Sequence, residues 1–60
     1  MDKPYSVTSA KVKGKYIPII INQTNGHRQH LCAFFEEKEH AIGYGIDWAS
    51  VRFGTSNVKG

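Results

Sequence analysis

Lysines occupy every second position in one short stretch of the sequence. Lys11, Lys13 and Lys15 alternate with Val12 and Gly14. If this stretch is extended, ammonium groups at that spacing could project from one side and meet consecutive phosphates of a nucleic acid. The same pattern is typical of a solvated strand edge, where lysines keep sheets from pairing with one another. Phosphate binding is therefore one of two interpretations of the lysines.

Arg28 and His30 form a second group of candidates. They are two residues apart, so in a strand they lie on one face, which Cys32 shares. Arg28 could bind a phosphate or the edge of a guanine; otherwise it is an ordinary surface arginine near a hairpin tip. The predicted nucleic-acid-binding residues are Lys11, Lys13, Lys15, Arg28 and His30.

Metal binding and catalysis have weaker support. The candidate metal ligands are His27, His30, His40 and Cys32, but no Cys-x₂-Cys or His-x₃-His pairing is present. No base with an orienting group is evident for Cys32, which we expect to be a small buried hydrophobe. We therefore predict that the protein is not an enzyme and uses no metal or other cofactor.

Length and composition narrow the class of protein. Sixty residues allow one domain at most, and one cysteine excludes an internal disulfide. No segment approaches the roughly 18 apolar residues of a membrane span, and residues 1–4 lack the layout of a signal peptide. We expect a single cytoplasmic domain, residues 1–60, ordered from about 5 to 54. The net charge of +3 mildly favours a polyanionic partner.

Three strands are predicted to position the candidate residues. Tyr5–Val12 and Lys15–Ile21 contain β-branched residues and are separated by Gly14. Asn25-Gly26 predicts a type I′ turn, because both central positions of that turn need positive φ. The third strand is then His27 to about Phe34.

A two-residue loop at Asn25-Gly26 would also define the two faces of the sheet. It pairs Ile19 with Cys32 and Ile21 with His30. One face then contains Tyr16, Pro18, Ile20, Leu31, Ala33 and Phe35, and the other Ile17, Ile19, Ile21, His30, Cys32 and Phe34. Pro18 requires either an edge strand or a position where no N–H is needed.

The hydrophobic period changes at Glu36 and indicates a helix. Acidic residues suit the positive end of the helix dipole, and here they are Glu36, Glu37 and Glu39. An apolar stripe at spacings of three and four follows: Ala41, Tyr44, Trp48 and Val51. Gly43 and Gly45 oppose a helix, unless they allow close approach to the sheet or the helix is bent there, and Gly54 is the expected stop. The predicted fold class is α+β, a three-stranded antiparallel sheet packed against one C-terminal helix.

One helix covers only one face of the sheet, so the other face would leave an apolar patch at Ile17, Ile19 and Ile21. Such a patch on a small protein favours a protein partner or self-association. Alternatively, the register differs by one residue or the N-terminal segment folds across the patch.

Twelve positions spread over residues 5 to 54 match a known pattern: Tyr5, Val7, Gly14, Lys15, Tyr16, Ile20, Arg28, Leu31, Phe34, Glu39, Ala41 and Tyr44. In this pattern the chain resembles the AP2-type DNA-binding domain and the similar N-terminal arm-binding domain of phage-type tyrosine integrases. The resemblance implies a sheet whose face away from the helix enters the major groove of DNA. Arg28 matches a family arginine and His30 a strand tryptophan, whereas Ile19 and Ile21 replace polar or charged DNA-contacting residues.

Two functions are therefore predicted. The leading one is a small non-enzymatic nucleic-acid-binding module, of the kind encoded by a phage or mobile element, that binds duplex DNA through its β-sheet and basic rim. The alternative is a small inhibitor or adaptor that docks the patch of Ile17, Ile19 and Ile21 on a larger protein. No membrane partner is expected.

Overall fold

Four strands form one sheet, and a single helix packs against it. The computed structural model describes residues 3–59. In chain order its elements are β1 (Tyr5–Val12), β2 (Lys15–Asn22), β3 (Arg28–His30), α1 (Lys38–Phe53), a 3₁₀ turn (Thr55–Asn57) and β4 (Val58–Lys59). The strand order across the sheet is β3-β2-β1-β4. No helix among residues 3–59 is long and apolar enough to cross a lipid bilayer.

The predicted α+β class is confirmed, but the predicted sheet was incomplete. β1, β2 and β3 are antiparallel, as expected. β4 is a fourth strand that lies parallel to β1, with Tyr5 opposite Val58 and Ser6 opposite Lys59. The sheet is therefore mixed, and α1 is followed by further regular structure in residues 55–59. A strand of two residues has too little pattern to be predicted locally.

The tight hairpin turn lies between β1 and β2. Val12 pairs with Lys15, so only Lys13 and Gly14 form the loop. Both have positive φ, 51° at Lys13 and 81° at Gly14. A two-residue loop with this pair of φ values is the arrangement of a type I′ turn, whose twist matches that of the flanking strands.

The type I′ turn predicted at Asn25-Gly26 was wrong. β2 and β3 are joined by a four-residue loop, residues 23–26, which is closed by hydrogen bonds from Asn22 N to His27 O (2.8 Å) and from Gly26 N to Asn22 O (2.7 Å). Gly26 has a φ of 74°, but Asn25 does not have positive φ. Asn25 instead accepts a hydrogen bond at Oδ1 from His27 N (2.8 Å). Its side chain shapes the loop as an Asx turn does.

The longer loop shifts the pairing of β2 with β3 by two residues. Ile19 lies opposite His30 and Ile21 opposite Arg28, instead of Cys32 and His30. Because side chains alternate with a period of two, an even shift leaves the residues that stay in the paired strands on their predicted faces. The predicted division of the paired residues into two faces is therefore correct, although the predicted turn was not.

β3 is also shorter than predicted, and this accommodates Pro18 in a central strand. Leu31 N donates to Pro18 O (3.0 Å), after which the chain leaves the sheet and returns where Phe35 pairs with Tyr16. Since the backbone leaves the ladder beside Pro18, no N–H is required there, which is the second of the two expectations for this proline. Cys32 lies in the departing segment and is exposed, so its predicted burial was wrong.

Small residues bring α1 close to the sheet. Ala41, Gly45 and Ala49 are the buried residues of the helix. They lie over a core whose buried members include Val7 and Ile20. The helix packs closely because none of these three side chains is larger than a methyl group.

The predicted apolar stripe on α1 was correct in part. Ala41 is fully buried, and Trp48 is half-buried and packs against the core. Val51 is 81% exposed and lies on the outer side of the helix, whereas Tyr44 is 45% exposed and its ring packs against Phe35 at the margin of the sheet. The helix begins at Lys38, and of the three acidic residues only Glu39 lies in its first turn.

Candidate nucleic-acid interface

The face of the sheet away from α1 contains most of the predicted site. The ladder places the following residues on this side, which we call the open face: Ser6, Thr8, Ala10, Val12, Lys15, Ile17, Ile19, Ile21, Arg28 and His30. α1 lies on the opposite face, and no second α-helix occurs among residues 3–59.

Three isoleucines of β2 form the centre of the open face. Ile19 lies between Thr8 of β1 and His30 of β3 and is only 5% exposed. Ile17 and Ile21 are half-buried. The centre of the open face is therefore apolar, with Ile19 buried and with Ile17 and Ile21 partly exposed on either side of it.

The three predicted lysines do not project from one side. Lys15 lies on the open face and Lys13 at the tip of the hairpin. Lys11 pairs with Tyr16, which puts it on the same side as α1, and its Nζ lies 6.0 Å from the centre of the Tyr16 ring. The alternating spacing of the lysines spans a two-residue turn, so it does not correspond to a single face. Lys11 is thus separated from the other candidates.

Lys15 already has an ionic partner. Its Nζ pairs with Glu36 Oε1, in the segment just before α1. The two side chains are 46% and 77% exposed. Ion pairs this open to water contribute about 0–1 kcal/mol, so a phosphate could replace the glutamate at little cost.

Arg28 lies toward the other end of the open face, beside Ile21, and His30 lies beside the central Ile19. Both are exposed, opposite Ile21 and Ile19, and neither forms an ion pair with another residue in the described part of the chain. Ile21, the residue opposite Arg28, is six positions from Lys15 along β2, a distance of about 20 Å along a strand. Lys15 and Arg28 therefore lie at the two ends of the isoleucine column.

Lys59 is an open-face cation that sequence analysis missed. It pairs with Ser6, whose side chain is on the open face, and it is exposed. Residues after Gly54 were expected to lie outside the ordered part, so no local signal pointed to Lys59. Its place depends on β4 joining the sheet.

Charge is segregated between the sheet and the helix. Residues 3–35 include no acidic residue and contain Lys3, Lys11, Lys13, Lys15 and Arg28. The acidic residues of the described chain are Glu36, Glu37, Glu39 and Asp47, all in α1 or just before it. The net charge of the chain is modest because the acidic residues in α1 and just before it offset the basic residues of the sheet, which has no acidic residue.

The other candidate groups stay apart. Among residues 3–59, no three histidine, cysteine, aspartate or glutamate side chains lie close enough to share a metal ion. His40 Nδ1 instead lies 3.6 Å from Glu37 Oε2, one helical turn away.

Comparisons with protein-family models, curated proteins and solved structures give no match for this chain. The resemblance to the AP2-type domain is therefore supported by its residues alone.

Proposed function

We propose that this chain is a small non-enzymatic module that binds duplex DNA with the open face of its sheet. The segregation of charge carries the proposal, since every strand is free of acidic residues and the acidic side chains belong to the helix and the segment before it. A surface of one sign attracts a polyanion and orients it during approach. The helix, which contains Glu39 and Asp47, would face away from the DNA, whereas Glu36 lies beside Lys15 of the open face.

The dimensions of the sheet support a groove-bound arrangement. Neighbouring strands are about 4.8 Å apart, so β1 and β3, on either side of β2, are separated by about 10 Å. The major groove of B-DNA is about 12 Å wide. Side chains of the open face would then point at the base edges, and the rim of the sheet would approach the phosphates.

The hairpin tip gives independent support for a phosphate contact. Lys13 has a φ of 51°, a value at which a residue other than glycine, asparagine or aspartate is uncommon. Such a conformation costs lysine roughly 1 kcal/mol. A lysine at this position is explained if its charge is needed at the tip of the hairpin.

The proposed contacts differ slightly from those predicted by the sequence. The cations that share the open face or its rim are Lys13, Lys15, Arg28 and Lys59, and the imidazole of His30 lies among them. Lys11 is left out because it lies on the side of α1. It provides a matched control, two residues from Lys13 and with the same charge.

Binding to a short duplex, measured by fluorescence anisotropy over a range of salt concentrations, tests the proposal. Each phosphate contact contributes a slope of about −0.9 in log affinity against log salt, so three or four contacts give about −3. Lys13→Ala and Arg28→Ala should each make the slope shallower by about one. Lys11→Ala should leave it nearly unchanged.

Two outcomes would overturn the proposal. If the chain does not bind duplex DNA even at low salt, DNA is excluded as the partner. If the chain instead binds a protein, and substitution of Ile17 and Ile21 abolishes that binding, the partner is a protein. An equal effect of Lys11→Ala and Lys13→Ala would show that the open face is not the contacting surface.

A further inference from the structure

The isoleucine column distinguishes this open face from a purely phosphate-binding surface. Between Lys15 and Arg28 the exposed side of β2 is aliphatic, with Ile17 and Ile21 half-buried and Ile19 as the floor between them. This column is the part of the face that would meet the base edges if the rim cations contact phosphates. The following inference rests on the proposed duplex binding.

The chemistry of the major groove restricts what such a column can contact. Most base edges there present hydrogen-bond donors and acceptors, which lose water without gaining a partner when an isoleucine covers them. The apolar group on a standard base is the 5-methyl of thymine. A cytosine methylated at C5 presents the same group in the same groove.

We propose that Ile17 and Ile21 contact the 5-methyl groups of pyrimidines in the major groove. The two residues are four positions apart on β2, which is about 13 Å along a strand. That distance is about four base steps, since bases on one strand are about 3.4 Å apart along the helix axis. The module therefore prefers duplexes with 5-methylpyrimidines near these two positions over duplexes without them.

Base analogues test this on the unmodified protein. Binding is compared between an alternating A·T duplex and the same duplex with deoxyuridine for thymidine, which removes only the methyl groups. Burial of a methyl-sized group changes affinity about four-fold, so we expect the uracil duplex to bind at least four-fold more weakly. A second pair, an alternating G·C duplex with and without 5-methylcytosine, separates the two sources of the methyl group.

The outcome in the two pairs assigns the ligand. A difference in the A·T pair alone assigns thymine, a difference in the G·C pair alone assigns methylated DNA, and a difference in both assigns the methyl group regardless of the base. Equal affinities within both pairs, with duplex binding intact, would overturn this inference and leave the proposed function standing. No binding to any of the four duplexes would instead overturn the proposed function.

Variants connect the methyl preference to the isoleucines. The double variant Ile17→Ala, Ile21→Ala should lose the difference between thymine and uracil while keeping the salt dependence, because the cations are untouched. Val51→Ala is the matched control: it removes aliphatic surface from the outer side of α1, where Val51 is 81% exposed, and should keep the difference. A methyl preference that persists in a folded double variant would show that another part of the chain is responsible.

Discussion

Gly45 of α1 lies directly against Val7 of β1. A Cβ at position 45 would stand 2.6 Å from Val7 Cγ1, closer than real Cβ atoms approach other atoms. Gly45→Ala should therefore lower the free energy of unfolding by about 1–3 kcal/mol, although alanine favours helix. Gly43 has open space around it in the same helix, so Gly43→Ala should raise that free energy by up to about 1 kcal/mol. Urea denaturation of both variants measures the contrast, and changes of the same sign would contradict the observed orientation of α1.

Truncation of Trp48 should lower the free energy of unfolding much more than truncation of Val51. Trp48 packs against the core, meets Phe53 edge to face with ring centres 6.2 Å apart, and lies under the guanidinium of Arg52 at 4.3 Å. Since it is half-buried, Trp48→Ala should lower the free energy of unfolding by about 2–3 kcal/mol. Val51→Ser should change it by less than about 0.5 kcal/mol. If chemical denaturation shows similar losses of unfolding free energy for both variants, Val51 is buried together with Trp48, as the sequence predicted.

Lys13 at the hairpin tip should lower the stability of the fold and strengthen duplex binding. Lys13→Asn should raise the free energy of unfolding by about 0.5–1 kcal/mol, because asparagine tolerates positive φ better than lysine does. It should also weaken duplex binding through loss of the charge. Lys13→Gln is the control, since it removes the charge without relieving the backbone. Thermal melts and salt-dependent anisotropy on both variants should separate the two effects, and a gain in stability with Gln would argue against backbone strain at this position.

Glu36 should act as an internal competitor for Lys15. Glu36→Gln leaves the ammonium group without its carboxylate, so we expect duplex binding to tighten at low salt and the gain to fade as salt screens the charges. The free energy of unfolding should change by less than about 1 kcal/mol, because both side chains are exposed. Asp47→Asn makes the same change of charge on α1, which packs on the other side of the sheet, and should tighten binding less. Equal gains would show that only net charge matters.

The parts of the fold predicted from sequence are those governed by local pattern. β1 and β2 were predicted within one residue because β-branched residues fill both and a glycine separates them. The helix was predicted, but its buried side was not, since periodicity gives weight to bulky residues such as Tyr44 and Val51. Close packing on the sheet instead selected Gly45 and its alanine neighbours.

The candidate site shows a similar division. The open-face positions of Arg28 and His30 followed from alternation, which the even shift in register preserved. The separation of Lys11 from Lys15 depends on pairing across a tight turn, and Lys59 depends on a parallel strand formed by distant residues. Pairings of this kind depend on tertiary structure and lie outside what a local sequence pattern predicts.

The pairing of Tyr5 with Val58 has a consequence for engineering. It places Tyr5, the first residue of β1, and Val58, the first residue of β4, on neighbouring strands about one strand spacing apart. Strands this close can be joined by a short linker, and exposed loop tips tolerate new chain ends. A short linker across β1 and β4, with new ends in the exposed loop of residues 23–26, would give a permuted chain with the same open face. Because Arg28 follows that loop closely, such a chain would present this cation beside a new terminus instead of a closed turn.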